Sequence, residues 1–251
     1  VVDWSTSLGG IVGPDGTPLG PMGRLTEYLL ERSTVEWDRG AWTSVRSVLD
    51  AYRVDGYLDE PAPPWETARS GWLWLAPMRV QTGPNGIEPI VWDVESPEPR
   101  ITLEVGVDCE RVGDMLTDGA RKANSYRIPY APDRNGEPAK VVTLNASTSH
   151  HCSVSTDNFG TIESPESLES RMLYDGATAA RAMSWRAIAF AFPWRVRTVT
   201  ASTARARALL VGDVVTLIDS EGGTDSVDAY VVNVDRGIDS ATLTLTIIHK
   251  P

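Results

Sequence analysis

Cysteine is scarce in this chain of 251 residues. Cys109 and Cys152 are the only two, too few for a multi-bridge scaffold and without the clustered spacing of a zinc or redox motif. A chain that folds in a reducing cytoplasm is expected. Long apolar runs are missing too, and none reaches the roughly 18 residues of a membrane-spanning helix. The opening "VVDWSTSLGG" has no basic stretch ahead of an apolar core and is not a signal peptide. A start on Val1 rather than methionine fits a processed chain or a piece of a longer one. Positive charge is in deficit: 23 Lys and Arg face 34 Asp and Glu, a net charge of −11, which excludes a sequence-independent grip on nucleic acid phosphates. The surplus acids read as solvated surface. No glycine-rich loop follows a strand, so nucleotide binding has no support. "GGIVG" at 9–13 and "HC" at 151–152 echo a trypsin-like enzyme. Acyl transfer, however, needs a presented serine beside an oxyanion hole, and no "GDSGGP" or "GxSxG" occurs. "DSEGG" at 219–223 places glutamate where backbone N–H groups would have to converge.

The remaining composition is that of a globular chain, 41% hydrophobic and 23% charged. Residues 8–23, "LGGIVGPDGTPLGPMG", are too rich in glycine and proline for a regular element and read as an extended arm. The scattered Ile11, Val12, Leu19 and Met22 make no periodic face, so the arm is expected to order only against a partner surface. Helical spacing follows in "GRLTEYLLER", and again after Asp38, a candidate N-cap, with Trp42, Val45, Leu49 and Tyr52 on one face. A tyrosine-rich turn then leads to Pro63 and Pro64, which suit the first turn of a third short helix carrying Trp65. Asn85-Gly86 between two apolar runs predicts a β-hairpin. This stretch holds no catalytic pattern. It reads as a junction whose core is Trp42, Tyr52, Tyr57, Trp65 and Trp74.

Beyond Arg100, "ITLEVGVDC" and "AKVVTLNAST" alternate as strands around the loop "APDRNGEP". Residues 165–188 read as a helix capped by Ser164 and broken or kinked at Asp175-Gly176. In "FAFPWRVRTVT", Phe190, Phe192, Trp194 and Val196 share one face of a strand. "DVVTLID", "DAYVVNVD" and "ATLTLTII" close the chain as a β-meander. The expected class is α+β, a small helical-plus-hairpin unit joined to β-rich barrel or sandwich domains. The expected segments are an arm at 1–23, a helix–helix–helix–hairpin unit at 24–95, a mixed β/α part at 96–180 and a β-rich part at 181–251.

Few groups invite chemistry. His150, His151 and Cys152, with Asp157 close by, are the candidate metal ligands, but adjacent histidines on a strand point to opposite faces and the one other histidine is His249. Histidines on a loop or strand edge are the better reading. Asp93/Glu95 and Asp108/Glu110 have the spacing of carboxylates sharing a strand face, yet nothing marks a sugar cleft. Trp42, Trp65, Trp72, Trp74 and Trp92 fall on apolar faces or runs, which makes core a better reading than carbohydrate stacking. No cofactor is expected.

The run from Arg24 through "TEYLLERSTVEWDRGAWTSVRSVLDAYRVDGYLDEPAPPWE", followed by the strand "GIEPIVWDVE", resembles the tail-tip or baseplate hub proteins of tailed phages. That group includes the lambda tip attachment protein and the hub proteins of gene-transfer agents. "AARAMSWRAIAFAFPWRVRTVTA" followed by "ALLVGDVVTLID" is similar to the hub segment in which a strand leads through a turn into a barrel. Residues 24–95 and 177–219 carry the likeness. It implies a structural virion protein rather than an enzyme, a homotrimer at the tail tip, assembled in the host cytoplasm and closing the distal tube. Its implied partners are the distal tail protein, the tape measure protein and a central fibre, with no membrane span and no sequence-specific nucleic acid. An acidic surface lining such a channel would repel DNA and let it slide past. The alternatives are a receptor- or carbohydrate-binding β-module, marked by several tryptophans exposed in one groove, or a hydrolase, marked by a cleft joining His151 to carboxylates.

Overall fold

The computed structural model describes residues 2–3, 20–55, 57–58, 62–93, 96–113, 116–118, 122–133, 137–165, 168–220, 222, 224–237 and 241–250. The fold is α+β with a β-rich part. It divides into two compact units, each built from two stretches of chain: Val1–Val91 with Asn124–Ile188, and Trp92–Ala123 with Ala189–Pro251. Four consecutive segments were expected. The difference arises because pairing partners far apart in sequence hold each unit together, and periodicity along the chain carries no trace of them.

In the first unit, β1 (Val2–Asp3) pairs with β2 (Tyr57–Leu58). Helix α1 (Met22–Leu30) and helix α2 (Arg39–Leu49) form as the apolar spacing predicts, burying Met22, Leu25, Leu30, Trp42 and Leu49. Asp38 caps α2 by accepting from the Ala41 N–H at 2.9 Å, which together with the Asn85 amide holds its carboxyl below the usual range. Helix α3 (Pro64–Gly71) begins on proline and buries Trp65. A 3-10 turn (Leu73–Leu75) leads to the hairpin β3 (Met78–Gly83) and β4 (Gly86–Val91). Gly83 pairs with Gly86, so the central turn residues are Pro84 and Asn85, one position earlier than Asn-Gly predicts. Gly86 has another duty. Its φ is +107° and the Glu36–Trp37 backbone occupies the place a Cβ would take. That close approach lets the Ile87 N–H reach Glu36 O and the Asp38 N–H reach Ile87 O.

The returning stretch contributes β8 (Tyr126–Pro132) and β9 (Pro138–Leu144), a two-stranded hairpin, followed by helix α4 (His150–Phe159) and helix α5 (Gly176–Phe190), which carries the chain out of the first unit. Residues 168–175 are not helical. Asp175 starts α5 instead of kinking a longer helix, because its carboxylate accepts from both the N–H and the hydroxyl of Thr178, at 2.8 Å each. Thr178 Oγ1 in turn accepts from the Arg53 N–H, and Asp55 N–H donates to Met172 O. These bonds staple the junction to chain more than a hundred residues away.

The second unit is one curled sheet. It comprises β5 (Pro99–Glu104), β6 (Cys109–Arg111), β7 (Leu116–Asp118), β10 (Trp194–Ser202), β11 (Val214–Asp219), β12 (Thr224–Arg236) and β13 (Thr242–His249), in the order β5-β11-β12-β13-β10-β6, with β7 also on β10. The last three strands form the expected meander, and β5 joins β11 in parallel. The two outer strands, β5 and β6, are joined by the turn at 105–108, where Val105 bridges Cys109. A sheet whose edges are consecutive in the chain must curl toward closure. The inner face packs Leu103, Val199, Ala201, Val215, Leu217, Ala229, Val231, Leu243, Leu245 and Ile247 around Ala206 of the short helix α6 (Thr203–Ala206). On β10 that face is Arg197, Val199 and Ala201 rather than the even-numbered face expected. Phe190 belongs to α5, and the strand starts only at Trp194.

Candidate functional site

The candidate metal ligands sit on a helix, not on a loop or strand edge. Ser149 caps α4 by accepting from the Cys152 N–H at 3.4 Å. His150 and His151 are exposed with ring centroids 6.2 Å apart, about 100° apart around a helix rather than on opposite faces of a strand. Cys152 is buried, and burial pushes its thiol pKa up. Among the described residues no three His, Cys, Asp or Glu groups stand close enough to hold a metal ion. His249 falls in the other unit. Of the carboxylate pairs, Glu95 lies outside the described residues. Asp108 sits in the turn before β6, where it accepts from the Glu104 N–H at 3.1 Å and pairs with Arg205 at 3.4 Å.

The junction residues part company. Trp42 and Trp65 meet edge to face with centroids 6.2 Å apart, and the Trp42 indole donates to Ile87 O at 3.1 Å. Tyr52 is buried under Arg181. Tyr57 contributes backbone to the β1–β2 pair. Trp74 is partly exposed and packs against the guanidinium of Arg186, 5.2 Å from its ring centroid, which also lies 4.2 Å from the Trp185 ring. That arginine donates to Trp74 O at 2.6 Å and Ala182 O at 2.8 Å. Among the described residues the most deeply buried indole is Trp72, whose N–H donates to Thr26 Oγ1 at 3.0 Å. Of the arm residues, Met22 opens α1 and is buried in the first unit. Ile11, Val12 and Leu19 lie outside the described residues.

No protein-family model matches the chain, and no curated protein matches it by sequence. Solved structures similar to it include three tail proteins, two of them from prophages. One is prophage tail protein gp18 of Listeria monocytogenes EGD-e (14% identity, 77% of this chain and 55% of that one, TM-score 0.45). A tail protein of Neisseria meningitidis MC58 has 16% identity over 78% of this chain and 57% of that one, with a TM-score of 0.48. The 43 kDa tail protein of prophage MuSo2 from Shewanella oneidensis has 15% identity over 79% and 57%, with a TM-score of 0.46. The chain spans a little over half the length of each.

The strongest electrostatic arrangement was absent from the sequence reading. It lies inside the curled sheet, where Asp219 at the end of β11 binds Arg197 of β10 through one oxygen. Its other oxygen accepts from Arg111 of β6 at 2.6 Å and from the Gly222 N–H at 2.8 Å. Arg197 also donates to Gly222 O at 3.1 Å. Burial alone would raise the Asp219 pKa; the Arg111 hydrogen bond, the Gly222 N–H and the two positive charges outweigh it and hold the carboxyl below its usual range. The cluster ties β11 to β6 and β10, on the side where the sheet meets its own edge. A Cβ at Gly222 would collide with both Asp219 and Arg197. Nearby Cys109 has its thiol pushed up to about 11 by burial and by the Asp108 and Asp219 charges. His249 is buried, donates from Nδ1 to Lys250 O at 2.7 Å, and has its pKa lowered mainly by burial and further by Arg197 and Arg195. One signal was available: Arg197 shares the strand phase of Val199 and Ala201, and a charge on the apolar phase requires a buried partner.

Proposed function

We propose that this chain is a structural component of a phage tail, a hub protein that closes the distal tube at the tail tip as a ring, with the distal tail protein and the tape measure protein as neighbours and no enzymatic activity. The observation that carries the reading is local. Both runs on which the resemblance rests fold as it implies: α1, α2, the Trp65 helix and a hairpin over 24–91, then α5, β10 and the turn at 210–213 leading into the curled sheet. Among the described residues no helix is long and apolar enough to cross a membrane.

Assembly tests the proposal. Light scattering across micromolar to millimolar concentration is expected to give three times the chain mass of 27.3 kDa. Deletion of residues 1–20 is expected to weaken that assembly. A parent chain that stays monomeric throughout overturns the ring, and a deletion that assembles as well as the parent overturns the arm's part in it.

A further inference from the structure

We propose that the outer edge of strand β3 is an acceptor for an extended, acidic segment of a partner protein, which adds to the β3–β4 hairpin as a third strand. The inference stands independently of the tail reading. Register says which groups point outward. Ile87 of β4 turns away from β3, since its N–H donates to Glu36 O at 2.9 Å and its carbonyl accepts from the Asp38 N–H at 3.0 Å. Thr82 is its partner across the hairpin. Thr82 therefore turns away from β4, and Val80, in the same phase, does too. Pro89 opposite Val80 agrees with this, because it has no N–H and sits where β3 requires none. Met78 shares the phase, and its N–H is taken by Ala76 O at 2.8 Å. The outward row is two donors, the N–H groups of Val80 and Thr82, and three acceptors, the carbonyls of Met78, Val80 and Thr82. None of the five takes a partner among the described residues.

Other edges among the described strands are guarded. On β5, Thr102 O accepts from Arg205 at 3.3 Å and the Glu104 N–H donates to the Asp108 carboxylate at 3.1 Å. β9 carries Pro138 and Lys140, residue types that keep an edge from pairing. β8 is met at both ends by the chain that follows it, at Ser125 and at Ala131. β3 has none of these devices. Met78–Gly83 contains no proline and no lysine, and its register with β4 runs without a bulge. An unguarded row of this kind is the template that strand addition completes.

Charge selects the occupant. The two strands carry one cation and one anion, Arg79 and Glu88. They do not pair. Glu88 lies opposite Gln81 and accepts from its amide at 2.5 Å, while Arg79 lies opposite Ile90. The Arg79 guanidinium has no ion pair and no hydrogen bond among the described residues, its Nε is buried, and burial holds its pKa down. A half-buried cation without a partner favours a carboxylate brought to it. On a strand added to β3, the residue beside Arg79 stands on the same face about 5 Å away, and an aspartate or glutamate there answers the charge. Residues 1–19 of a second copy are acidic too, with Asp3 and Asp15, but Pro14 precedes Asp15. In an antiparallel register with Asp15 beside Arg79, Pro14 falls opposite Val80, where an N–H is required.

Amide NMR of the full ¹⁵N-labelled chain tests this with three synthetic probes: the peptide Thr-Thr-Val-Glu-Val-Thr, its lysine analogue, and a peptide of residues 1–19. The glutamate peptide is expected to shift the amides of Val80 and Thr82 saturably and to protect both N–H groups from exchange. Salt is expected to weaken its binding, and Arg79→Gln to weaken it by about tenfold. Thr82→Pro removes an N–H that the β3–β4 ladder does not use, and is expected to abolish the shift at Val80. Equal shifts with the lysine analogue, preference for the peptide of residues 1–19, indifference to Arg79→Gln, or no shift at Val80 up to millimolar peptide each overturn the proposal. So do shifts at Val80 and Thr82 that follow protein concentration without peptide, since they make a second copy the occupant.

Discussion

Replacing Asp219 by alanine removes one carboxylate from the curled sheet and leaves a guanidinium behind. The side chains of Arg197 and Asp219 are 2% and 1% exposed, so water cannot take the carboxylate's place. Losing one member of a pair at this depth costs about 3–5 kcal/mol, a large share of the roughly 5–15 kcal/mol that holds a domain folded. Arg111 binds the same carboxylate but is 34% exposed. Its substitution by alanine costs about 1 kcal/mol, since solvent compensates much of a charged hydrogen bond. Arg100, whose pair with Asp213 lies nearer the surface, marks the floor at under about 1 kcal/mol. Urea unfolding read with hydrogen exchange on β10 and β11 is expected to rank the three in that order. The double variant Arg197→Met/Asp219→Leu is expected to recover most of the loss, because an apolar pair needs no partner. Acid adds a signed test. The folded pKa of Asp219 lies below its ordinary value of 3.8, so its stabilisation is present above that value and is lost as pH falls through the folded pKa. The double variant should lack that limb. Two results refute the reasoning: a loss under about 1 kcal/mol for Asp219→Ala, or additive losses in the double variant.

Gly86→Ala meets both a φ of +107° and the Glu36–Trp37 backbone, and is expected to cost about 2–3 kcal/mol in thermal or urea unfolding. Ala131→Gly relieves a left-handed residue, offsetting the usual penalty of about 0.5–1 kcal/mol for glycine in a strand; it should leave stability unchanged while Ala139→Gly, in the exposed neighbouring strand, lowers it. Trp65→Ala empties the edge-to-face contact with Trp42 and should cost about 3–5 kcal/mol, with an unchanged melting temperature contradicting a core role. His249 has a folded pKa below its ordinary 6.5, so the unfolded chain binds the extra proton first and stability should fall as pH drops below about 6.5. His249→Phe should flatten that slope.

Where neighbours in sequence are neighbours in space, the reading held. Asp38, the spacing of Trp42 and Leu49, and Pro64 at the first turn gave α2 and α3 from interactions within four residues. The meander β11–β12–β13 followed from alternation and short turns. Where a local cue had two outcomes, the reading slipped. Asp175-Gly176 is both a helix breaker and a helix start, and the Asp175 carboxylate, bonded to the N–H and hydroxyl of Thr178, makes it the start. "SHHC" fits a strand edge or a capped helix, and Ser149 decided for the helix. The β-hairpin turn moved one residue because Gly86 is reserved for the Glu36–Trp37 approach.

The sequence by itself determined the α+β class, the amphipathic helices, the strand alternation and the acidic surface, all of which depend on residue type and spacing of a few positions. Tertiary structure alone decided that residues 124–188 return to the first unit, that β5 joins β11 in parallel, and that Asp219 meets Arg111 and Arg197. The physical reason is common to all three. Each depends on groups tens to more than a hundred residues apart, whose pairing is selected by burial and by complementary charge once the chain has collapsed, and no periodicity along the chain encodes which distant partner wins.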